Sequence, residues 1–329
     1  MLVVAIAIVR VEDLFVVTML LSIYGLLSAS FFVAMDAVDV AFTEAAVGAG
    51  ISTLLMLVVI SMTGRSEKPT RHKPYIALLV VTTTACMLFY GTADLPHFAA
   101  VDAPIHQHVA PRYINDSMTE IGIPNMVTSV LASYRAFDTF GEVVVIFTAG
   151  IGVLALLDAT RPTVDNHRER LADNSMHERH LVLRIVTKIL FPFMLLFALY
   201  VQFHGDFGPG GGFQAGVIFA AAIILYTMLF GLHRTAIVIS QSLVQLVAAV
   251  GVLLYGSVGV ATLLSGGNFF DYNLLFNDPI AGQHLGILLI ELGVGCTVAA
   301  VMIMIFFSFS GHLERQQHCN RSTNKRESS

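Results

Sequence analysis

The chain has 329 residues, of which 56% are hydrophobic and only 12% charged, with a formal net charge of −5. A soluble domain carries about 25% charge, so a water-soluble globule is excluded, and the scattered, nearly balanced charge excludes disorder and nucleic-acid binding. Cys86, Cys296 and Cys319 lie far apart with no CxxC pair, which leaves neither a disulfide framework nor a zinc site. What remains is an all-α, polytopic integral membrane helix bundle embedded in a lipid bilayer.

A hydrocarbon core about 30 Å thick needs roughly 20 apolar residues in a helix. Residues 1–9 are apolar but reach only about 13 Å at 1.5 Å per residue. They read as a half-helix, or as the tail of a span that begins upstream of Met1. Arg10, Glu12 and Asp13 follow this stretch, which argues against a cleaved signal peptide. Full spans are predicted at residues 14–35, 38–62, 74–93, 141–157, 183–203, 213–232, 236–264 and 284–309, for eight to nine transmembrane helices in all.

Orientation follows from Lys and Arg. With the 63–73 loop (Arg65, Lys68, Arg71, Lys73) in the cytoplasm, the 161–180 loop, the turn at Arg234 and the tail from Gly311 fall inside as well. Of the 18 basic residues, Arg112 and Arg135 are the exceptions, in the long 92–139 connection outside. The charged run 161–184 reads as a solvated linker between two hydrophobic blocks. Residues 311–329 are polar without periodicity and are expected to be disordered.

Ionisable groups inside spans each cost at least about 2.5–3.5 kcal/mol at the bilayer centre, so their placement is informative. In MDAVDVAFTEAAVGAG, Asp36 and Asp39 sit where they can cap a helix. Glu44 is too deep for a cap, and reads as an ion or proton station or as a hydrogen bond to a neighbouring helix. In YRAFDTFGEVVVIF, Asp138 and Glu142 stand at i, i+4 on one face. Close carboxylates raise one another's pKa, as suits proton exchange or cation binding; the alternative makes Asp138 an N-cap and Glu142 a partner of the helix dipole. Lys188 lies about a turn inside the cytoplasmic face, where it either snorkels or takes part in the pathway. Glu291 in GILLIELGVG has no capping role, and His284 precedes it on the same face.

The stretch HGDFGPGGGFQAG breaks the chain sharply at residues 204–216. Pro209 fixes its own φ, and Gly210, Gly211 and Gly212 are expected to make the reversal by adopting positive φ. Gly212 and Gly216 form a GxxxG, as do Gly282 and Gly286, a spacing that lets helices approach closely. No GK[ST] follows, so this is not a nucleotide loop. The polar outer loop with His97, Asp102, His106 and His108 has no geometry that defines a metal site. The sequence points to no catalytic residue, metal or cofactor.

These segments resemble components of the Mrp-type multisubunit Na+/H+ antiporters and of the related membrane-bound hydrogenase complexes. DAVDVAFTEAAVGAG is similar to the DAPDVALTEAAVGAG element of the MbhD-like (DUF4040) module, with Ala37-Val38 departing from its Ala-Pro. PNMVTSVLASYRAFDTFGE resembles the PNVVTVILVDFRGFDTLGE element of the MbhE-like module. GPGGGFQAG resembles the PGGGFQGG signature of the MrpB/MnhB proteins. The order implies an MbhD-like module at 1–63, an MbhE-like module at 74–158, a linker at 159–182, an MrpB/MnhB-like module at 183–310 and a cytoplasmic tail at 311–329. The resemblance further implies an accessory ion-pathway component of a Na+/proton antiporter, a secondary transporter rather than an enzyme, in the inner membrane of a prokaryote. Its partners would be other Mrp-type membrane subunits, including large complex-I-like ones, and its ions Na+ and H+. Pathway candidates are Asp39, Glu44, Asp138, Glu142, Lys188 and Glu291, with the three glutamates expected to converge on one cation site. Two rivals stand beside this reading: a redox-driven complex of the hydrogenase type, and a non-conducting scaffold.

Overall fold

The structure, a computed structural model, describes residues 1–67, 74–97, 100–157 and 181–327, so the expected linker lies almost wholly outside the described residues. Among them every regular element is a helix. The long ones are α1 (Leu2–Arg10), α2 (Leu14–Ala34), α3 (Val38–Thr63), α4 (Pro74–Thr92), α5 (Ala136–Leu157), α6 (Leu181–His204), α7 (Gly212–Phe230), α8 (Gln241–Leu264) and α9 (Pro279–Glu327). Eight of them, α2 to α9, are long and apolar enough to cross a membrane, which makes the chain a polytopic all-α membrane protein.

Local chemistry sets the ends. Asp13 caps α2 by accepting from the Phe15 amide at 2.9 Å. The same carboxylate receives Arg65 Nε at 3.0 Å, so the start of α2 and the end of α3 are tied at one end of the bundle. That hydrogen bond, with two backbone amides, holds the exposed Asp13 carboxyl below the usual range. Gly231, at φ +89°, ends α7, and Ser240 caps α8 through the Leu243 amide. The span expected at 236–264 is therefore divided: residues before Ser240 form a separate short helix, Leu232–Val238. Helix α5 starts at Ala136, ahead of the expected 141, which brings Asp138 and Glu142 into its first two turns.

Helix α9 continues past Gly311 through residues of the expected tail to Glu327. Its Leu, Glu, Arg, Gln and Lys residues favour helix, and extending a helix that is already nucleated avoids the nucleation cost.

The core belongs to α7, α8 and α9, with α5 and α6 against them. Helix α9 lies between α7 and α8 and offers each a glycine. A Cβ on Gly216 would stand 2.7 Å from the Gly295 carbonyl. Gly251 and Gly293 each face the other's carbonyl, at 2.7 and 2.8 Å from an added Cβ. Such contacts let helix backbones meet, which is how association is won in lipid. At one end Phe140, Tyr255, Phe269, Phe270 and Tyr272 form an aromatic cluster, with Phe140 and Tyr255 centroids 5.4 Å apart. Two fully buried tyrosines join the blocks: Tyr255 donates to the Ala136 carbonyl (2.8 Å), and Tyr272 to the Ala132 carbonyl (3.0 Å).

Candidate functional site

The turn between α6 and α7 is the most heavily tied polar feature of the bundle. The Gly211 amide donates to the Val201 carbonyl at 3.0 Å, folding the chain back on α6. Asn125 holds the turn from outside, its Nδ2 donating to the carbonyls of Gly205 (2.9 Å) and Gly208 (3.0 Å). Thr128 adds a bond to the Gly205 carbonyl at 2.7 Å. The expectation that three glycines take positive φ needs correction. Only Gly211 does, at +114°. Gly210 and Gly212 are required for a different reason. A Cβ on Gly210 would stand 2.6 Å from the Val201 carbonyl, and one on Gly212 would collide with the Glu291 carbonyl. Tight reversal against two helices leaves no room for a side chain at either place.

Acidic groups gather at this turn. Asp39 does not cap its own helix; its Oδ1 accepts from the Gly210 amide at 3.2 Å. Asp36, at φ +61°, makes the corner before it. Asp36 and Asp39 line a cavity of about 340 Å³ with Asn125, Phe207 and Pro209, which places three turns at one end of the bundle. The Glu291 carboxylate reaches the turn from α9: a Cβ on Gly211 would stand 3.0 Å from its Oε1. Asp206, within the turn, is half-buried, and desolvation raises its pKa against the opposing field of His284. Asp39 and Asp206 are the charged groups whose fields reach Glu291.

Glu44 occupies a separate notch. It ends the first part of α3, where the helix widens into a π segment over Ala45–Ile51. π segments are rare and frequent at functional sites. The carboxylate folds onto its own helix, with Oε1 2.6 Å from a Cβ on Gly48 and 3.4 Å from one on Gly25 of α2. The two glycines make the space it fills.

Asp138 and Glu142 share a face in sequence, and Arg135 takes Asp138 in an exposed ion pair at 2.6 Å. The fields of Glu142 and Glu291 both reach the Tyr255 hydroxyl. Lys188 is exposed, with its ammonium 5.5 Å from the Phe230 ring centroid. It stands 16 residues, about 24 Å of helix, from His204 and the turn. Arg184 covers the same ring at 4.8 Å and is itself buried.

Among the described residues no three His, Cys, Asp or Glu side chains form a group that could hold a metal ion. The convergence expected of Glu44, Glu142 and Glu291 on one cation site is therefore absent there; each occupies its own station on α3, α5 and α9. The structure adds residues that spacing did not single out: Asp206, Tyr255 and Gln202, the last 7% exposed with an amide nitrogen that lacks a hydrogen-bond partner. Asp206 lies in the conspicuous glycine stretch, but nothing in that stretch says that its carboxyl is buried.

Three family models match in succession. Residues 1–65 match MbhD and residues 79–172 match MbhE, the D and E subunits of MBH, and residues 182–304 match a "domain related to MnhB subunit of Na+/H+ antiporter". The chain is 24% identical over 309 residues to the A/B subunit of a probable K(+)/H(+) antiporter of Rhizobium meliloti (strain 1021), covering 87% of this chain but 31% of that relative. It is 34% identical over 139 residues to the putative antiporter subunit mnhB2 of Staphylococcus haemolyticus (strain JCSC1435), covering 41% of this chain and 98% of that relative. Among solved structures, the Mrp complex from Dietzia sp. DQ12-45-1b superposes with a TM-score of 0.73 at 25% identity, over 94% of this chain and 34% of that one. The membrane-bound sulfane sulfur reductase, an archaeal respiratory membrane complex, gives a TM-score of 0.51 at 27% identity over 72% of this chain and 97% of the matched one. The chain thus spans about a third of the A/B relative and nearly all of the mnhB2 relative, and it belongs to the MnhB family of antiporter subunits, with MbhD and MbhE domains preceding its MnhB-related domain.

Proposed function

We propose that this chain is an accessory ion-pathway subunit of a monovalent cation/proton antiporter complex. It works in the inner membrane of a prokaryote, with its C-terminus in the cytoplasm, beside other Mrp-type membrane subunits that include large complex-I-like ones. The observation that carries the reading is a series of carboxylates at separate stations inside the spans: Glu44 in its glycine notch, Glu142 and Glu291 with fields that reach Tyr255, and Asp39 at the glycine turn. Carboxylates so placed are costly in a bilayer and mark ion or proton paths. Separate stations suit transfer in steps better than one closed cation cage. Asp138 stands at the edge of this series, paired with Arg135, and Lys188 at the far end of α6 is its inner member. Glycine, tyrosine and carboxylate side chains here bind, hold and pass ions; no covalent step is assigned to them. The domain limits proposed are 1–63, 74–158, 183–310 and 311–329, with the linker at 159–182.

The test is transport in everted vesicles with the complex quantified in the same membranes. Glu142→Gln and Glu291→Gln should each strongly impair cation-driven proton movement at normal complex abundance. Wild-type antiport in both would leave only the scaffold reading. The match to a respiratory membrane complex favours a second reading, membership of a redox-driven ion-translocating assembly. Genes for iron–sulfur or nickel subunits beside this one would favour it; an operon of antiporter subunits alone would favour the first.

A further inference from the structure

The groups around the glycine turn form an ordered series from the surface inward. His284 lies one turn inside α9, exposed, with its Nε2 3.2 Å from a Cβ built on Gly122 of the outer loop. Gly122 lies three residues before Asn125, whose backbone amide donates to the Asp206 carbonyl at 3.0 Å, so His284 and Asp206 meet the same stretch of loop, and the field of His284 reaches Asp206. Asp206 is half-buried in the turn, and its field in turn reaches Glu291, which stands on α9 two turns beyond His284. The turn itself cannot drift, since Asn125 and Thr128 bind its carbonyls and Asp39 its Gly210 amide.

A second feature points the same way. Gln202 is 7% exposed, and its Nε2 has no hydrogen-bond partner. Its Oε1 lies 2.5 Å from a Cβ built on Gly295, one helical turn past Glu291 on the same face. This buried amide thus adds an unpaired polar group beside the Glu291 face of α9. Gln214, also buried, brings its Oε1 to 3.8 Å from a Cβ on Gly211.

We propose that the glycine turn is the proton entrance of this protein, in which His284 delivers a proton to Asp206 and Asp206 passes it to Glu291. The inference rests on the pathway reading above and extends it to two residues with no role there. In each step an N–H or O–H bond breaks and an O–H bond forms on the next carboxylate; no electron moves. Imidazole suits the outer position because its two ring nitrogens can take up a proton on one side and release one on the other. The groups that act on Asp206 and Glu291 are Asp39 from α3, Tyr255 from α8 and His284 from α9, and His204 ends α6 beside the turn. His204 is occupied in stacking on Tyr200, with ring centroids 4.9 Å apart, and it packs against Gly208. Asp39 is bound to the Gly210 amide.

The experiment reconstitutes the complete complex in liposomes and follows cation-driven proton movement while pH is varied on one face at a time. Asp206→Asn should slow it by about 10²-fold, the scale of a lost proton-transfer group, and Asp206→Glu should restore it. His284→Gln should move the pH of half-maximal rate only when pH is varied on the face bearing the turn. Added imidazole should restore the rate of His284→Gly. If Asp206→Asn and His284→Gln keep the wild-type rate and pH profile while Glu291→Gln is inactive, the entrance is elsewhere and the pathway reading stands. Wild-type transport by Glu291→Gln would remove both. Should Asp206→Asn fail to assemble, the imidazole response of His284→Gly decides alone, its absence counting against the entrance.

Discussion

In the most apolar stretch of α9, 67% of the residues are buried by the rest of the chain, and in α7 56%; in α3 the share is 6%, and in α4 none is buried. All four helices are apolar enough to cross a bilayer, so hydrophobicity does not separate them. Glycine placement separates α4 from α7 and α9. Lipid is as apolar as leucine and supplies no force to press helices together, so close contact must come from packing between small residues. Helix α9 meets α7 and α8 through Gly293 and Gly295, where an added Cβ would touch backbone of the neighbour. In α4, a Cβ on Gly91 would meet nothing within 4 Å, and its large apolar residues, such as Phe89 and Tyr90, stay exposed. The MnhB-related part therefore makes its own core, whereas the first four helices leave most of their surface uncovered by the rest of the chain.

The sharpest way to break this contrast is to add the same side chain in both places. Gly212→Leu should prevent α7 from seating on α9, at a cost of about 3 kcal/mol or more from overpacking against rigid backbone. Gly91→Leu should be silent. Recovery of folded protein in detergent and its unfolding temperature report both, and equal tolerance would mean that α7 and α9 do not meet through glycine.

A smaller effect is expected at the seam between the two parts. Tyr255→Phe removes the donor to the Ala136 carbonyl in a fully buried place, which should cost about 1–3 kcal/mol. The α4 counterpart Tyr75→Phe, on an exposed ring, should cost nothing measurable. Thermal unfolding of the two variants compares them directly.

Acid should act with opposite signs on two carboxyls. Asp206 has its folded pKa raised by burial, so the folded state holds the proton longer than the unfolded one. Stability attached to this group falls as pH rises from the unfolded value, about 3.9, through the raised folded value, and is level above it. Asp206→Asn should abolish that slope. Glu120 shows the reverse. Its carboxylate accepts from the Tyr134 hydroxyl and, at 3.0 Å, from Arg112 Nη2, and these bonds lower its pKa. Burial, with the bond to Glu120 and its charge, pushes the Tyr134 hydroxyl up to about 12, so it remains a donor throughout. The contribution of Glu120 is present above its unfolded value and is lost as pH falls through the lowered folded one. The loop with Arg112 should then become more open to added protease in acid, and Glu120→Gln should open it at neutral pH as well. This is the smallest effect, since the groups are exposed and screened.

The number of spans and their approximate places were legible in the sequence because length and apolarity alone decide whether a helix can cross a bilayer. The resemblance in three ordered motifs was equally legible, since MDAVDVAFTEAAVGAG, FDTFGE and GPGGGFQAG are contiguous. Glu44, Glu142 and Glu291 could be picked out by depth, because a carboxylate far from both interfaces stands out against apolar neighbours. Pairing was harder to read. The i, i+4 spacing of Asp138 and Glu142 puts them on one face, but spacing does not show that Arg135 is near enough to take Asp138 for itself. Asp39 looked like a cap because caps are local, and its actual partner is the Gly210 amide, 171 residues away. The amino-acid order determined which segments enter the membrane, where the chain reverses and which carboxylates lie deep, all consequences of local composition. Only the tertiary structure decided that Gly210 and Gly212 are required by close approach rather than by φ, that Asp206 is half-buried, and that Asp39 binds the Gly210 amide. Those depend on which backbone lies opposite, and in a bilayer that is settled by packing between helices distant in sequence.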